Sequence, residues 1–327
     1  MNRQIQSIGT AALASGGSAN FSLQSLPTQI AGQPANIAAL VIRIAKTVTS
    51  VNRPSAASII IRDNVENLYE GTGLELLAQS RERGEAVDAQ LGAVTAIDAA
   101  VFVWRPGYGM RVEDQYAATG LFAAGGTVQV TVGTDAGQTS NVEVLAVLHG
   151  GPPRVHQRVL TRTLAAGSRD LPGDFLLARL RDASFSDTAA YTVRSTTQDL
   201  ITGAIGRTLR GLYETSLGPA GDPVVLTAVA QTTISGPNLV RAMLADYSYG
   251  SGEKMPPLGE LPVSGTNINL TAGFVGAPIV TQIFRRDRAQ AENMMRLACD
   301  RAGIPYTGVQ PVVDVPGLRG FSPYKPG

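Results

Sequence analysis

Only two histidines occur in the 327 residues, and both lie in H-G-G-P-P-R-V-H, as His149 and His156. A zinc centre built on imidazoles calls for H-x-x-x-H or a mixed Cys/His spacing, and a seven-residue separation broken by Pro-Pro provides neither. H-G-G resembles an oxyanion loop of esterases, yet the chain holds no G-x-S-x-G turn to raise a serine nucleophile. The H-x-H cluster of a metal-dependent cupin is also missing. His149 therefore reads as the end of a strand and His156 as the start of a linker.

Other chemistry fails on the same grounds. G-T-G-L-E-L and G-Y-G-M-R-V have two glycines each, without the third of a dinucleotide loop, and no G-K-[ST] follows a glycine-rich turn. The single cysteine, Cys299, has no histidine near it in sequence and reads as a small structural thiol. Glu66 with Glu70, or Asp182 with Asp187, could be imagined as glycosidase carboxylates, but nothing fixes their separation and no aromatic platform flanks them. No loop has calcium spacing. The expectation is a protein with no catalytic residue, no cofactor and no metal.

The elements that would have positioned such residues are themselves informative. Hydrophobic residues make up 44% of the chain and charged residues 16%, with 36 Gly and 19 Pro, the profile of a β-rich protein interrupted by turns. Twenty-seven basic and 26 acidic residues give a formal charge of +1, so no basic face is available for sequence-specific nucleic-acid binding. The N-terminus lacks the apolar run of a signal peptide, and Ile37 to Ile44, interrupted by Arg43, is far too short to span a bilayer. A soluble chain able to touch a membrane surface is expected.

Period-two alternation places Leu40, Ile42, Ile44 and Lys46 on one face of a strand and Val41, Arg43, Ala45 and Thr47 on the other. Thr72 and Glu75 have capping-box spacing ahead of Leu74, Leu77 and Ala78, predicting a short helix that Gly84 can close. A-V-F-V-W reads as a strand, and residues 127–133 and 141–148 read as an antiparallel pair. G-G-P-P-R at 150–154 then forbids both helix and central strand and marks a boundary.

Beyond that boundary the order repeats. I-I-I-R-D-N-V-E-N-L-Y-E-G (59–71) and Y-T-V-R-S-T-T-Q-D-L-I-T-G (191–203) match without a gap at Arg62/Arg194, Leu68/Leu200 and Gly71/Gly203, with acid-for-amide exchanges at Glu66/Gln198 and Asn67/Asp199. Ile205, Leu209, Leu212 and Tyr213 fall at helical spacing where the first half has its helix, and late strands follow in both halves. The two stretches read as one structural corner used twice, with Arg62 and Arg194 facing outward and Gly71 and Gly203 ending the segment before a helix. The expected organisation is an N-terminal arm at 1–20, β domains at 21–150 and 151–285, and a helix and arm at 286–327. The last helix starts at Asp287, ends at Gly303 and gathers Ala291, Met294, Met295 and Ala298 on one face. Two loops, W-R-P-G-Y-G-M and D-Y-S-Y-G-S-G-E-K-M-P-P-L-G, hold contact-type side chains: Trp104, Tyr108 and Met110 in the first, Tyr247, Tyr249, Lys254 and Met255 in the second.

Two tandem β domains of similar layout, short helices after the repeated corners, scarce charge and cysteine, and no catalytic motif together resemble the double jelly-roll major capsid proteins of tailless, membrane-containing icosahedral bacterial viruses. The resemblance covers about residues 20–285 and is nearer to the small proteins of corticoviruses and finnlakeviruses than to larger hexons. It implies an all-β fold of two tandem jelly-roll sandwiches, a homotrimer forming a pseudo-hexagonal tile, and a lattice of tiles over an internal lipid membrane. Vertex or minor capsid proteins are the further partners it implies, and the virion, assembled in the host cytoplasm, is the implied location. A tandem β-sandwich binding module, such as an adhesin or carbohydrate-binding protein, is the alternative, and would be a stable monomer.

Overall fold

The computed structural model of the chain describes residues 3–46, 54–82, 89–90, 99–107, 116–134, 138–155, 157–163, 169–171, 177–181, 188, 190–195, 199–205, 224–226, 232–234, 268–270, 279–285 and 288–306. The chain divides into two compact units. The first comprises Met1–Arg158, Leu226–Thr232 and Arg286–Val313, the second Val159–Val225, Thr233–Arg285 and Asp314–Gly327.

In the first unit the strands are β1 (Arg3–Ala14), β2 (Ser18–Ser22), β3 (Gln29–Ile30), β4 (Gln33–Lys46), β5 (Ser58–Arg62), β6 (Asn67–Thr72), β7 (Ala89–Gln90), β8 (Ala99–Trp104), β9 (Ala117–Ala118), β10 (Thr127–Thr131) and β11 (Thr139–Gly150). Helix α1 (Gly73–Glu82) follows β6. One sheet runs β1-β11-β4-β8-β7, with β3 and β9 also on β4, and another path runs β6-β5-β10-β2. Neighbours along both are antiparallel. Alternate side chains build the core: Leu40, Ile42 and Ile44 of β4, Phe102 of β8, Val142, Val144 and Leu148 of β11 from one sheet, and Phe21, Ile59, Ile61, Val128 and Val130 from the other. Each large apolar side chain so buried contributes about 1.5–3 kcal/mol.

Leaving aside the two-residue strands, eight strands remain among the described residues, in the chain order β1, β2, β4, β5, β6, β8, β10, β11. The first, third, sixth and eighth form one sheet, and the second, fourth, fifth and seventh the other. That interleaving is the jelly roll. It corrects one expectation: β10 and β11 are not partners, because β10 lies between β2 and β5 while β11 lies between β1 and β4. Both alternate strongly, but their connection crosses the sandwich. The expected N-terminal arm is also a strand, since β1 pairs along its length with β11 from Arg3↔His149 to Ala14↔Thr139.

The second unit repeats the plan. Its strands are β12 (Gln157–Thr163), which straddles the division, β13 (Arg169–Leu171), β14 (Leu177–Arg181), β15 (Ala190–Ser195), β16 (Asp199–Ile205), β17 (Val224–Leu226), β18 (Thr232–Ile234), β19 (Ile268–Leu270) and β20 (Ile279–Arg285). The sheet β16-β15-β19-β13 reproduces β6-β5-β10-β2, and β14-β20-β12 reproduces β4-β11-β1. A strand for the sixth position would fall between Ile205 and Ile268, where only the β17–β18 ribbon is described. Ile205 ends β16, and Leu209, Leu212 and Tyr213, expected in a helix, lie outside the described residues.

Helix α2 (Arg288–Ala302) belongs to the first unit. Met295 and Ala298 pack with Ala118 and Val155, joined at the margin by Leu121, Met294 and Tyr306. Ala291, Cys299 and Ala302 are also buried, so the expected face is the buried one. Gly303 takes φ +65° and the Ile304 N–H donates to the Cys299 carbonyl at 3.0 Å, a left-handed helix stop that needs glycine.

Candidate assembly surface

The repeated corner is a β-hairpin in both units. In the first, Ile61 pairs with Tyr69 and Arg62 with Asn67, with a register shift between them. In the second, Val193 pairs with Ile201 and Arg194 with Asp199, again with a shift between them. Each second-unit residue stands 132 positions after its counterpart. The first hairpin is tightly built. Asp63 Oδ1 accepts from the N–H groups of Val65 at 2.7 Å and Glu66 at 2.8 Å, and Arg62 Nε donates to Asn67 Oδ1 at 2.8 Å. This wiring leaves Val65 at the tip 81% exposed.

The two glycines of the match serve different ends, and neither terminates its segment. Gly71 lies within β6, and a Cβ there would meet the Tyr69 hydroxyl at 2.9 Å, while that hydroxyl donates to the Thr72 carbonyl at 2.6 Å. Gly203 lies within β16 at φ +58°, exposed, its N–H donating to Thr192 Oγ1 at 3.2 Å. Asn67 to Thr72 form a strand before the helix because Leu68, Tyr69 and Gly71 turn into the sandwich.

The two outer faces of the first jelly roll differ in character. On β5, β10 and β2 the outward residues are mostly polar: Ser58, Thr131 and Ser18 form one row, with Thr131 Oγ1 donating to Ser18 Oγ at 3.1 Å, and the part-exposed Ile60 shares the next row with Gln129 and Asn20. On β4, β11 and β8 they include an apolar row: Val41 lies opposite Leu145 on one side and Val103 on the other, all three part-exposed. Arg43, opposite Glu143, interrupts this face. The β1 edge adds Ile5, 70% exposed. An antiparallel sheet with a solvated outer face normally carries polar side chains there, so the apolar row of Val41, Leu145 and Val103, set beside Arg43, Glu143 and Asn141 on the same face, is a candidate contact patch.

The chain's exit from this jelly roll is fixed by Asn36, a polar residue in an otherwise apolar buried run. Its side chain is 1% exposed; Nδ2 donates to the carbonyls of Pro152 at 3.1 Å and Gly151 at 3.3 Å, and Oδ1 accepts from the Arg154 N–H at 2.9 Å. The polar side chain within N-I-A-A-L-V-I is the signal for it in the sequence. Arg158 then makes a two-point ion pair with Glu66 of the β5–β6 turn.

Of the expected contact residues, Trp104 is corrected: it closes β8, pairs with Leu40 and is 3% exposed, continuing the inward series Ala100 and Phe102. That alternation in A-V-F-V-W was the signal for an interior residue. Tyr108, Met110, Tyr247, Tyr249, Lys254 and Met255 lie outside the described residues, as do His156, Asp182, Asp187 and Asp287. Arg62 is exposed as expected; Arg194 is described as a strand residue only. His149 lies in β11, its ring 5.3 Å from that of Tyr116. Glu66 is held by Arg158, and Glu70 accepts from Asn67 Nδ2 at 3.2 Å. Burial, with Asp300 alongside, pushes the Cys299 thiol up.

No family model matches the chain, and no curated protein matches it in sequence. Solved structures do. The major capsid protein of STIV is similar with a TM-score of 0.52 and 10% identity over 86% of this chain and 95% of that one. The major capsid protein P2 from bacteriophage PM2 is similar with a TM-score of 0.49 and 13% identity over 88% of this chain and 99% of that one. The first likeness shows a shared all-β fold, in agreement with the jelly-roll strand order read above.

Proposed function

We propose that this chain is a structural, self-assembling major capsid protein. The observation that carries the reading is the jelly roll repeated within one chain, down to the register of the β5–β6 and β15–β16 hairpins. A twofold repeat lets three copies approximate sixfold packing while keeping a closed threefold symmetry, so a homotrimer gives a pseudo-hexagonal tile. The fold shared with the STIV capsid protein supports this. Tiles arrayed as an icosahedral shell over a lipid membrane, joined by vertex or minor capsid proteins and assembled in the host cytoplasm, complete the proposal. In this role the polypeptide catalyses nothing; its work is done by contact surfaces.

Electron microscopy of the concentrated full-length protein, alongside a glycan array, tests the reading. Hexagonal plates or closed shells with no glycan retention are expected. Dispersed monomers that retain a specific glycan would establish the binding module instead.

A further inference from the structure

Two neighbouring rows on the outward face of β11, β4 and β8 differ in chemistry. In one, Val41 stands between Leu145 and Val103; in the next, Arg43 stands between Glu143 and Val101. All lie within Met1–Arg158, Arg43 exposed and the others part-exposed. Among the described residues neither the Arg43 nor the Glu143 side chain is engaged in a hydrogen bond or ion pair. A cation and an anion on adjacent strands therefore face outward side by side, next to an apolar row.

That arrangement is its own complement. A half turn about an axis along the strands, midway between β4 and β11 and in the plane of contact, sets β4 of one copy over β11 of the other. Arg43 then falls over Glu143 and Glu143 over Arg43, while Val41 falls over Leu145 and Leu145 over Val41. One operation gives each charge its opposite and each of these apolar side chains an apolar neighbour. A partner carrying one sign of charge would leave one of the two ions unmatched, and a wholly apolar cover would desolvate both. The occupant that satisfies the face is a second copy of this chain.

We propose that the β11-β4-β8 face is a twofold contact between two copies, with Val41 and Leu145 at its dry centre and two Arg43–Glu143 pairs fixing its register. Packed sheets lie about 10 Å apart with their strands within about 30° of each other, a gap that Arg and Glu side chains span together. This contact rests on the self-assembly reading and is one part of it. A twofold contact cannot close a ring of three, so it joins one tile to the next and governs growth beyond the trimer.

The test uses two charge reversals in the full-length protein. Arg43→Glu makes the face doubly acidic, and Glu143→Arg makes it doubly basic. Each is expected to leave the circular dichroism and the three-chain species unchanged, and to weaken growth beyond that species about tenfold or more in sedimentation over a concentration series. Mixing the two purified variants sets an acidic face against a basic one and is expected to restore growth, which a role for the pair within one chain would not do. Glu143→Lys takes the place of Glu143→Arg if the latter does not fold. Either single variant growing as the wild type does, a mixture no better than its components, or loss of the three-chain species in folded Arg43→Glu overturns the contact alone. A wild-type chain that stays monomeric overturns the self-assembly reading beneath it.

Discussion

Arg62 stands opposite Asn67 across the β5–β6 hairpin, its Nε donating to Oδ1 at 2.8 Å, and 132 residues later Arg194 stands opposite Asp199. A conserved offset in strand register is harder to meet by chance than a few identical letters, because slipping a strand by one residue turns every side chain to the wrong face. The turn between the partners is set by Asp63. Asp63→Ala removes two hydrogen bonds to the Val65 and Glu66 N–H groups and is expected to cost about 1–2 kcal/mol in chemical denaturation.

Asn36→Ala is expected to cost more, about 2–3 kcal/mol, because it strands the buried Gly151 carbonyl and removes the partner of the part-buried Arg154 N–H and of the Pro152 carbonyl. Limited proteolysis is expected to cut at 150–158 in the variant and to spare that segment in the wild type.

What was legible in the sequence is what short-range pattern encodes. Leu40, Ile42 and Ile44 announced a strand with a buried face, and Ala291, Met295 and Ala298 a helix with one. Strand partners were not legible. Residues 127–131 and 139–150 look like a hairpin, yet the jelly roll pairs each with strands more than sixty residues away in sequence. β1 was missed because an edge strand buries little: of its twelve residues only Leu13 is buried, so it shows no alternation. Of the candidate site, the repeated corner was visible as a match in sequence, while the apolar row of Val41, Leu145 and Val103 and the Arg158–Glu66 pair arise only once the strands are ordered.

The docking of α2 depends on Gly120. A Cβ there would sit 3.2 Å from Ala298 Cα, backbone that cannot swing aside. Gly120→Val is expected to destabilise by about 1–3 kcal/mol through overpacking and to expose residues 288–306 to proteases. Arg301, which donates to the Gly120 carbonyl, would lose that partner as the helix lifts.

Cys299 reports the same docking. Burial first, and the neighbouring Asp300 second, raise its thiol, so the thiolate is scarcer at neutral pH than in an unfolded chain. Labelling with a thiol reagent should be slow in the native protein, rise with pH only above the range of a free cysteine, and become fast at neutral pH in denaturant or in Gly120→Val.

Self-assembly is tested most directly by the mass of the full-length protein in solution across a wide concentration range, measured by sedimentation or light scattering. A species of three chains, growing into larger assemblies as concentration rises, is the expected result. A single monomeric mass at every concentration would contradict it.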